Sequence, residues 1–394
     1  MKKKYFIFSI VTLVLFAIVI TCFNYFKNTK NYVEDNTSKP TKITKGISMN
    51  LEQTAGAGDY KTVTQSSWPT EGYKFNTELS RCENGSTLSW DDSKKAVVMN
   101  GNVSDKCYVY FDKVLTLANY VISQYTGIQG ENSLYYHDSN LANGVGDNSY
   151  RYAGASDSVN NYICLGSDAA TCPDDNLFRI IGVFGAQTKV IRAKSVGNQK
   201  WDTSSSNKWS SSSLNTYLNG TYLTSLGTLK NKIATTTWKV GGGTPANISE
   251  VVPATAYKNE VGSSASRTIV NKKIGLMYVT DYYYSASPSA WTLMGYNSDA
   301  TKDYRAAKTT NWLYLGSYEW TVSRYSDRTT HAFSVTSTGD VLHSNVTDSY
   351  AVRPSFNLES SVYVSGSGSM SDPVRVTDWR TVLNKPRWNI GEMR

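Results

Sequence analysis

The sequence predicts a strand-dominated α+β fold, preceded by a small disulfide-closed β module and one transmembrane helix. Three observations predict it. Charged residues make up only 18% of the 394, against 28 Tyr and 10 Trp, which fits neither a disordered chain nor a helical bundle. Short alternating or β-branched stretches recur, without the strand–helix alternation of a doubly wound sheet. Four of the five cysteines follow an apolar N-terminal run, as in an exported chain.

The chain opens "MKKKYFIFSIVTLVLFAIVITCFNYFK". Residues 5–26 carry no charge and are long enough for a membrane-crossing helix, which needs about 20 residues. Lys2, Lys3 and Lys4 hold the N-terminus inside, so the expected location is the cell membrane, single-pass, with the C-terminal domain extracellular and the lipid bilayer as a partner of that helix. No small-x-small cleavage site follows the apolar run, which favours an uncleaved signal anchor. Val19, Ile20 and Thr21 before Cys22 make a poor lipidation signal.

Five segments are expected: 1–27, cytoplasmic stub and signal-anchor helix; 28–50, a polar stalk; 51–112, the small β module; 113–376, the main domain; 377–394, a basic tail. The formal charge of +8 belongs to the ends, since eight lysines face only Glu34 and Asp35 in residues 1–45, and Arg375 onward is again basic. The body is close to neutral. That excludes a nucleic-acid partner, which would need basic excess there to neutralise phosphates.

In the β module "DYKTVTQSSW" and "KCYVYFD" read as strands, with "WPTEGY" and "ENGS" as turns. Among the three pairings open to four cysteines, separation along the chain favours Cys82–Cys107, closing this module, and Cys164–Cys172. The main domain opens with an amphipathic helix in "VLTLANYVISQY", where Val114, Leu117, Ala118, Val121 and Ile122 recur at helical spacing. Residues 126–161 are rich in Gly, Asn, Asp and Ser and read mostly as loop. "LFRIIGVFGAQTKVIRAKS" is a pair of strands around Gly185. "WSSSSLNTYLNGTYLTSL" is helical, capped by serine, apolar at Leu214, Tyr217 and Leu218, and stopped by Asn219-Gly220. "HAFSVTSTGDVLHS" is a hairpin turning at Thr338-Gly339, a register that sets His331 opposite Val346 and His343 opposite Ser334, on opposite faces.

The ordered series "NLFRIIGVF", "WSSSSLNTYLNGTYL", "IGLMYVTDYYY", "NWLYLGSYEWTVSR", "STGDVL" and "YAVRPSFNLESSVYVSGSGSMSDPVRV" resembles an uncharacterised domain family of bacterial surface proteins. That family is similar in layout to the formylglycine-generating-enzyme-like branch of the C-type-lectin fold. The resemblance covers about residues 115–376 and implies a C-type-lectin-like domain with an irregular, loop-built face. The calcium-dependent lectin signature and the catalytic cysteine pair of the formylglycine-generating enzymes have no counterpart in this sequence.

No residue set assembles a catalytic centre, and no cofactor or metal is expected. "SGSGSMSD" lacks the Gly-Lys-Ser/Thr ending of a phosphate loop, so it reads as the turn before a closing strand, with Arg353 a structural hydrogen-bonding residue. "PDDN", residues 173–176, offers oxygen ligands but reads more simply as the loop after the second disulfide. The informative feature is aromatic density over residues 282–325, where Tyr and Trp fall in Ser- and Asp-rich stretches that are hard to bury. Tyr283, Trp312, Tyr314, Arg324 and Tyr325 are the expected ligand-binding residues, aromatic faces for stacking and an Arg for polar contact. The function that follows is non-covalent recognition or adhesion toward a surface glycan or protein, not catalysis. The alternative is a structural envelope or pilin-like subunit.

Overall fold

The computed structural model describes residues 46–377, except 56, 65, 66, 70, 71, 103, 360 and 361. The chain divides into two compact units at Val114 and Leu115.

The first unit is built on the strand Cys107–Lys113, whose alternating Cys107, Val109 and Phe111 are buried. It pairs parallel with Ile47–Glu52 and antiparallel with Tyr73–Phe75 and Arg81–Cys82. Tyr60–Val63 extends the sheet beyond Ile47–Glu52, and Thr87–Asp91 with Ala96–Asn100 forms a separate hairpin. The core is small: Met49, Leu51, Trp68, Phe75, Ala96, Val109 and Phe111. Cys82 and Cys107 are cross-strand partners and are disulfide-bonded, which staples a core of that size. The first strand begins at Ile47, inside the expected stalk.

In the second unit the central strand Leu177–Phe184 is buried along nearly its whole length. Gln187–Arg192 folds back on it through Gly185, followed across the sheet by Ser355–Leu358 and Ile274–Gly275. On its other side lies Tyr162–Cys164, then Val374–Thr377 in parallel, then Val362–Ser365. A second sheet runs Asn198–Lys200, Ser349–Ala351, Glu319–Arg324, His331–Val335, Val341–Asn345. Short helices fill the connections, among them Leu117–Ser123, capped by Thr116, and Val279–Tyr284. Cys164–Cys172 is the second disulfide.

The "SGSGSMSD" turn is architectural. Asp372 accepts the Ser367 N–H at 2.8 Å, and Gly366 and Gly368 hold φ of 96° and 83°. A Cβ on Gly368 would lie 2.5 Å from the Asn160 carbonyl oxygen, so only glycine fits that passage. Arg353 is buried and forms a two-pronged ion pair with Glu319, Nε to Oε1 and Nη2 to Oε2, each 2.7 Å.

Several expectations need correction. The fold class is corrected to a strand-dominated fold with two disulfides, and among the described residues no helix is long and apolar enough to cross a membrane. The segment expected to form the transmembrane helix, residues 5–26, and the basic tail from 378 lie outside the described residues. The stretch 126–161 contains a hairpin, Leu134–His137 with Ser149–Tyr152, which joins the central strand at Gly182. A Cβ at Gly182 would sit 2.2 Å from the Tyr150 carbonyl, so the close approach of the two backbones needs glycine. Asn219-Gly220 does not stop its helix, which continues as a π turn over Leu218–Tyr222. Asn219 instead exchanges hydrogen bonds with both backbone groups of Ile274, at 2.8 and 3.0 Å.

The hairpin after His331 is one residue out of the expected register. Val335 pairs with Val341 across a five-residue loop, Phe333 with His343 and His331 with Asn345. Asp340 accepts from the Thr338 hydroxyl at 2.6 Å and from Thr336, which fixes the longer loop. Both imidazoles therefore share a face, ring centres 5.6 Å apart.

Candidate functional site

The expected binding residues do not converge. Tyr283 is fully buried and Trp312 is 2% exposed, so neither can belong to an open binding face. The physical reason is hydrogen bonding. Tyr282, Tyr283 and Tyr284 donate their hydroxyls to the carbonyls of Gly339, Ile248 and Asn143 at 2.7, 3.0 and 3.0 Å. The Trp312 indole donates to Tyr152 O at 2.8 Å. With each polar tip satisfied, three consecutive tyrosines enter the core without the usual penalty. Trp312 also stacks on Arg179, which lies between it and Tyr162 at 4.6 and 4.3 Å and whose pKa burial lowers to about 10.

Tyr314, Arg324 and Tyr325 are half-buried. Tyr314 bonds Ser337 O at 2.5 Å, and Arg324 bonds Gly241 O at 3.0 Å. Tyr325 packs edge-on against His343 at 4.8 Å. Burial, then Arg328, lowers the His331 pKa; burial, then His331 and Arg328, lowers that of His343. The "PDDN" carboxylates are taken up by basic side chains, Asp174 by Lys194 at 2.5 Å and Asp175 by Arg192.

The structure instead gathers a site that the sequence does not announce. A cavity of about 210 Å³ opens at one end of the central sheet, between Leu177–Phe184, Gln187–Arg192, the ribbon Thr236–Lys239, and Val279–Tyr284. Phe184, Trp238, Tyr257 and Tyr278 give it aromatic walls, and Arg151, Lys189, Lys239 and Asp281 give it charge. Lys189 and Asp281 are both buried and pair at 2.5 Å. Asp281 Oδ2 also accepts the Tyr278 N–H at 2.8 Å, capping the helix that carries it.

Arg151 comes from the unexpected hairpin. Its Nη2 pairs with Asp147 at 2.7 Å and its Nε donates to Ser149 Oγ at 2.8 Å. Tyr257 donates to the same Asp147 at 2.8 Å. The guanidinium lies 4.7 Å from the Phe184 ring and the Lys189 ammonium 4.6 Å from Tyr278, so two buried cations rest on aromatic faces. Burial lowers the Lys189 pKa, against the pull of Asp281. Burial works against the Asp147 carboxylate too, but Arg151, Ser149 and Tyr257 hold it at about 2.

Three polar atoms on this lining have no partner among the described residues. Arg151 Nη1 has no acceptor, Asp281 Oδ1 has no donor, and Asn357 Oδ1 is buried without a hydrogen bond while its amide nitrogen donates to Thr236 at 3.0 Å. Of the three, only Asn357 Oδ1 is fully buried, and an unpaired buried acceptor is costly unless something fills it. The sequence held one usable signal: Lys189 in "TKVI" and Asp281 in "VTDYYY" are each the one charge within a run that is otherwise apolar, aromatic or threonine. Their pairing across 92 positions was not readable.

Residues 186–360 are similar to the domain of unknown function DUF6273, a shorter stretch than the sequence resemblance spans. It contains Lys189, Trp238, Tyr278, Asp281 and Asn357 but not Arg151. No curated protein and no solved structure matches the chain.

Proposed function

We propose that this chain is a recognition protein that binds a surface glycan, or a polar group displayed on one, non-covalently in the cavity around Lys189 and Asp281. The observation that carries the reading is the lining itself: aromatic walls, the buried unpaired acceptor of Asn357, and one further polar atom each on Arg151 and Asp281 that no described group engages. Small-molecule sites share that composition, mostly aromatic or apolar with a few placed polar groups. Strands of the central sheet hold Arg151, Lys189 and Asn357, so the contacts are set before the ligand arrives. The two disulfides support work outside a reducing compartment. Kinship with the formylglycine-generating-enzyme-like branch of the C-type-lectin fold is part of the same proposal, supported by the ordered Glu-Trp and Arg-Pro strands that Glu319 and Arg353 join.

The test is binding of the purified, oxidised chain to a panel of glycans, wall polymers and extracellular proteins, beside a Lys189→Met/Asp281→Leu variant. Removing both charges together leaves no lone buried ion, so the variant is expected to stay folded by circular dichroism. Saturable binding lost in that variant is the expected result. Binding that survives in it places the site elsewhere, with the Tyr325, His331 and His343 patch as the next candidate. No binding, with ordered self-assembly, favours an envelope building block.

A further inference from the structure

We infer that the ligand of this cavity is a sugar acid, a single ring that carries both hydroxyl groups and a carboxylate. The inference rests on the recognition reading above and narrows it by the chemistry of the lining. Arg151, Lys189 and Lys239 face the cavity with Asp281 as the carboxylate among its lining residues. Asp147 neutralises Arg151 from behind. Lys239 is held on the carbonyl oxygens of Val261 and Gly262 and has no carboxylate partner among the described residues. Glu260 lies behind Thr280, its oxygens occupied by Val279, Thr280 and Ser323. At the lining itself three cations therefore face one carboxylate, with Asp147 and Glu260 set behind it, and this favours an anion there.

A cationic ligand is disfavoured on a second count. The ring faces that would attract it are already in use, Phe184 by Arg151, and Tyr278 and Trp238 by Lys189 at 4.6 and 5.5 Å. A simple carboxylate is not sufficient either. Asn357 Oδ1 is a buried acceptor without a donor, and Asp281 Oδ1 is an acceptor that can take one; an ionised carboxylate does not supply a donor to either. Hydroxyl groups do, and each can also accept from Arg151 Nη1. At about 210 Å³ the cavity holds roughly seven waters' worth of liquid volume, the scale of one sugar ring. The C–H face of such a ring suits the indole edge and phenol walls.

The experiment is calorimetric titration of the full, oxidised chain with three probes: glucuronate, glucose and acetate. Glucuronate is expected to saturate the protein at least about ten-fold more tightly than either other probe, the weight of one charge-assisted hydrogen bond. Asn357→Asp sets a like charge against the carboxylate at almost unchanged shape. It should weaken glucuronate about ten-fold and glucose much less. Lys239→Gln should narrow the gap between glucuronate and glucose. Glucose binding as tightly as glucuronate, and lost in Lys189→Met/Asp281→Leu, overturns the sugar acid and leaves the recognition reading intact. Acetate binding as tightly as glucuronate overturns it as well, because the hydroxyls then contribute nothing. Absence of binding by all three probes also overturns it, while the polymer panel with the paired variant decides the recognition reading separately.

Discussion

Replacing Arg353 by Met tests how the second unit is held together. The substitution keeps an unbranched apolar stem and removes the guanidinium from a position 3% exposed, opposite Glu319, which is 1% exposed. Glu319 then loses both 2.7 Å hydrogen bonds, and Leu313 O loses its donor as well. A buried carboxylate stripped of its partner costs about 3–5 kcal/mol, whereas Glu319→Leu with Arg353→Met should fall within about 1–2 kcal/mol of the parent. Urea titration followed by tryptophan fluorescence reads the difference as a lower midpoint at unchanged slope. The pH dependence supplies the sign. Burial already raises the Glu319 pKa, with Arg353 pulling it down, so without Arg353 it rises further. A carboxyl whose folded pKa lies above its unfolded value costs stability above the folded pKa. That cost disappears as pH falls toward the ordinary carboxylate range. The deficit of Arg353→Met should thus be full at about pH 7 and shrink on acidification. A loss under about 1 kcal/mol, or one that grows on acidification, would refute this account of the pair.

Other predictions are simpler. His137 is fully buried, its Nδ1 accepts from Val145 N, its Nε2 has no partner among the described residues, and its pKa is held well below the ordinary value by burial and then Arg151. A histidine with a depressed folded pKa costs stability as pH falls below its unfolded value of about 6.5, so His137→Phe should flatten the acid limb of a melting-temperature profile. Removing Cys82–Cys107, with 25 residues' separation, should cost about 3.5 kcal/mol, and removing Cys164–Cys172, with a separation of 8, about 2.5 kcal/mol, by urea titration of Cys→Ser pairs. Gly368→Ala should cost more stability than the roughly 1–2 kcal/mol of a left-handed residue, read as a lower melting temperature, because its Cβ also meets the Asn160 carbonyl. Ser371→Ala, in the same exposed loop, should leave the melting temperature unchanged.

Local patterns carried most of what was legible in the sequence. The strands around Gly185 and the helix Leu117–Ser123 follow from periodicity, because their own residues bury one face or both. The hairpin that bears Arg151 was hidden because Gly, Asn and Asp dominate its turn and outweigh two four-residue strands. The tyrosines of Val279–Tyr284 were misplaced because their acceptors lie 35 to 141 positions away. Register carried a similar ambiguity: a five-residue turn in place of a four-residue one moved His343 across the sheet. The candidate site was the least legible part, since Arg151, Lys189, Asp281 and Asn357 come from four separate elements and only the closed sheet brings them to one cavity.

The parallel pairing of Tyr162–Cys164 with Val374–Thr377 also has a consequence for synthesis. A ribosome has released the first of these strands more than two hundred residues before it delivers the second. Throughout that interval one edge of the central sheet stands open, next to a cysteine that can already find its neighbour eight positions on. A chain stalled or clipped before residue 374 would keep that edge bare and ready to capture another strand. The strand Val374–Thr377 thus acts as a completion signal: chains that include it close the edge, and chains cut before it are the fraction expected to aggregate.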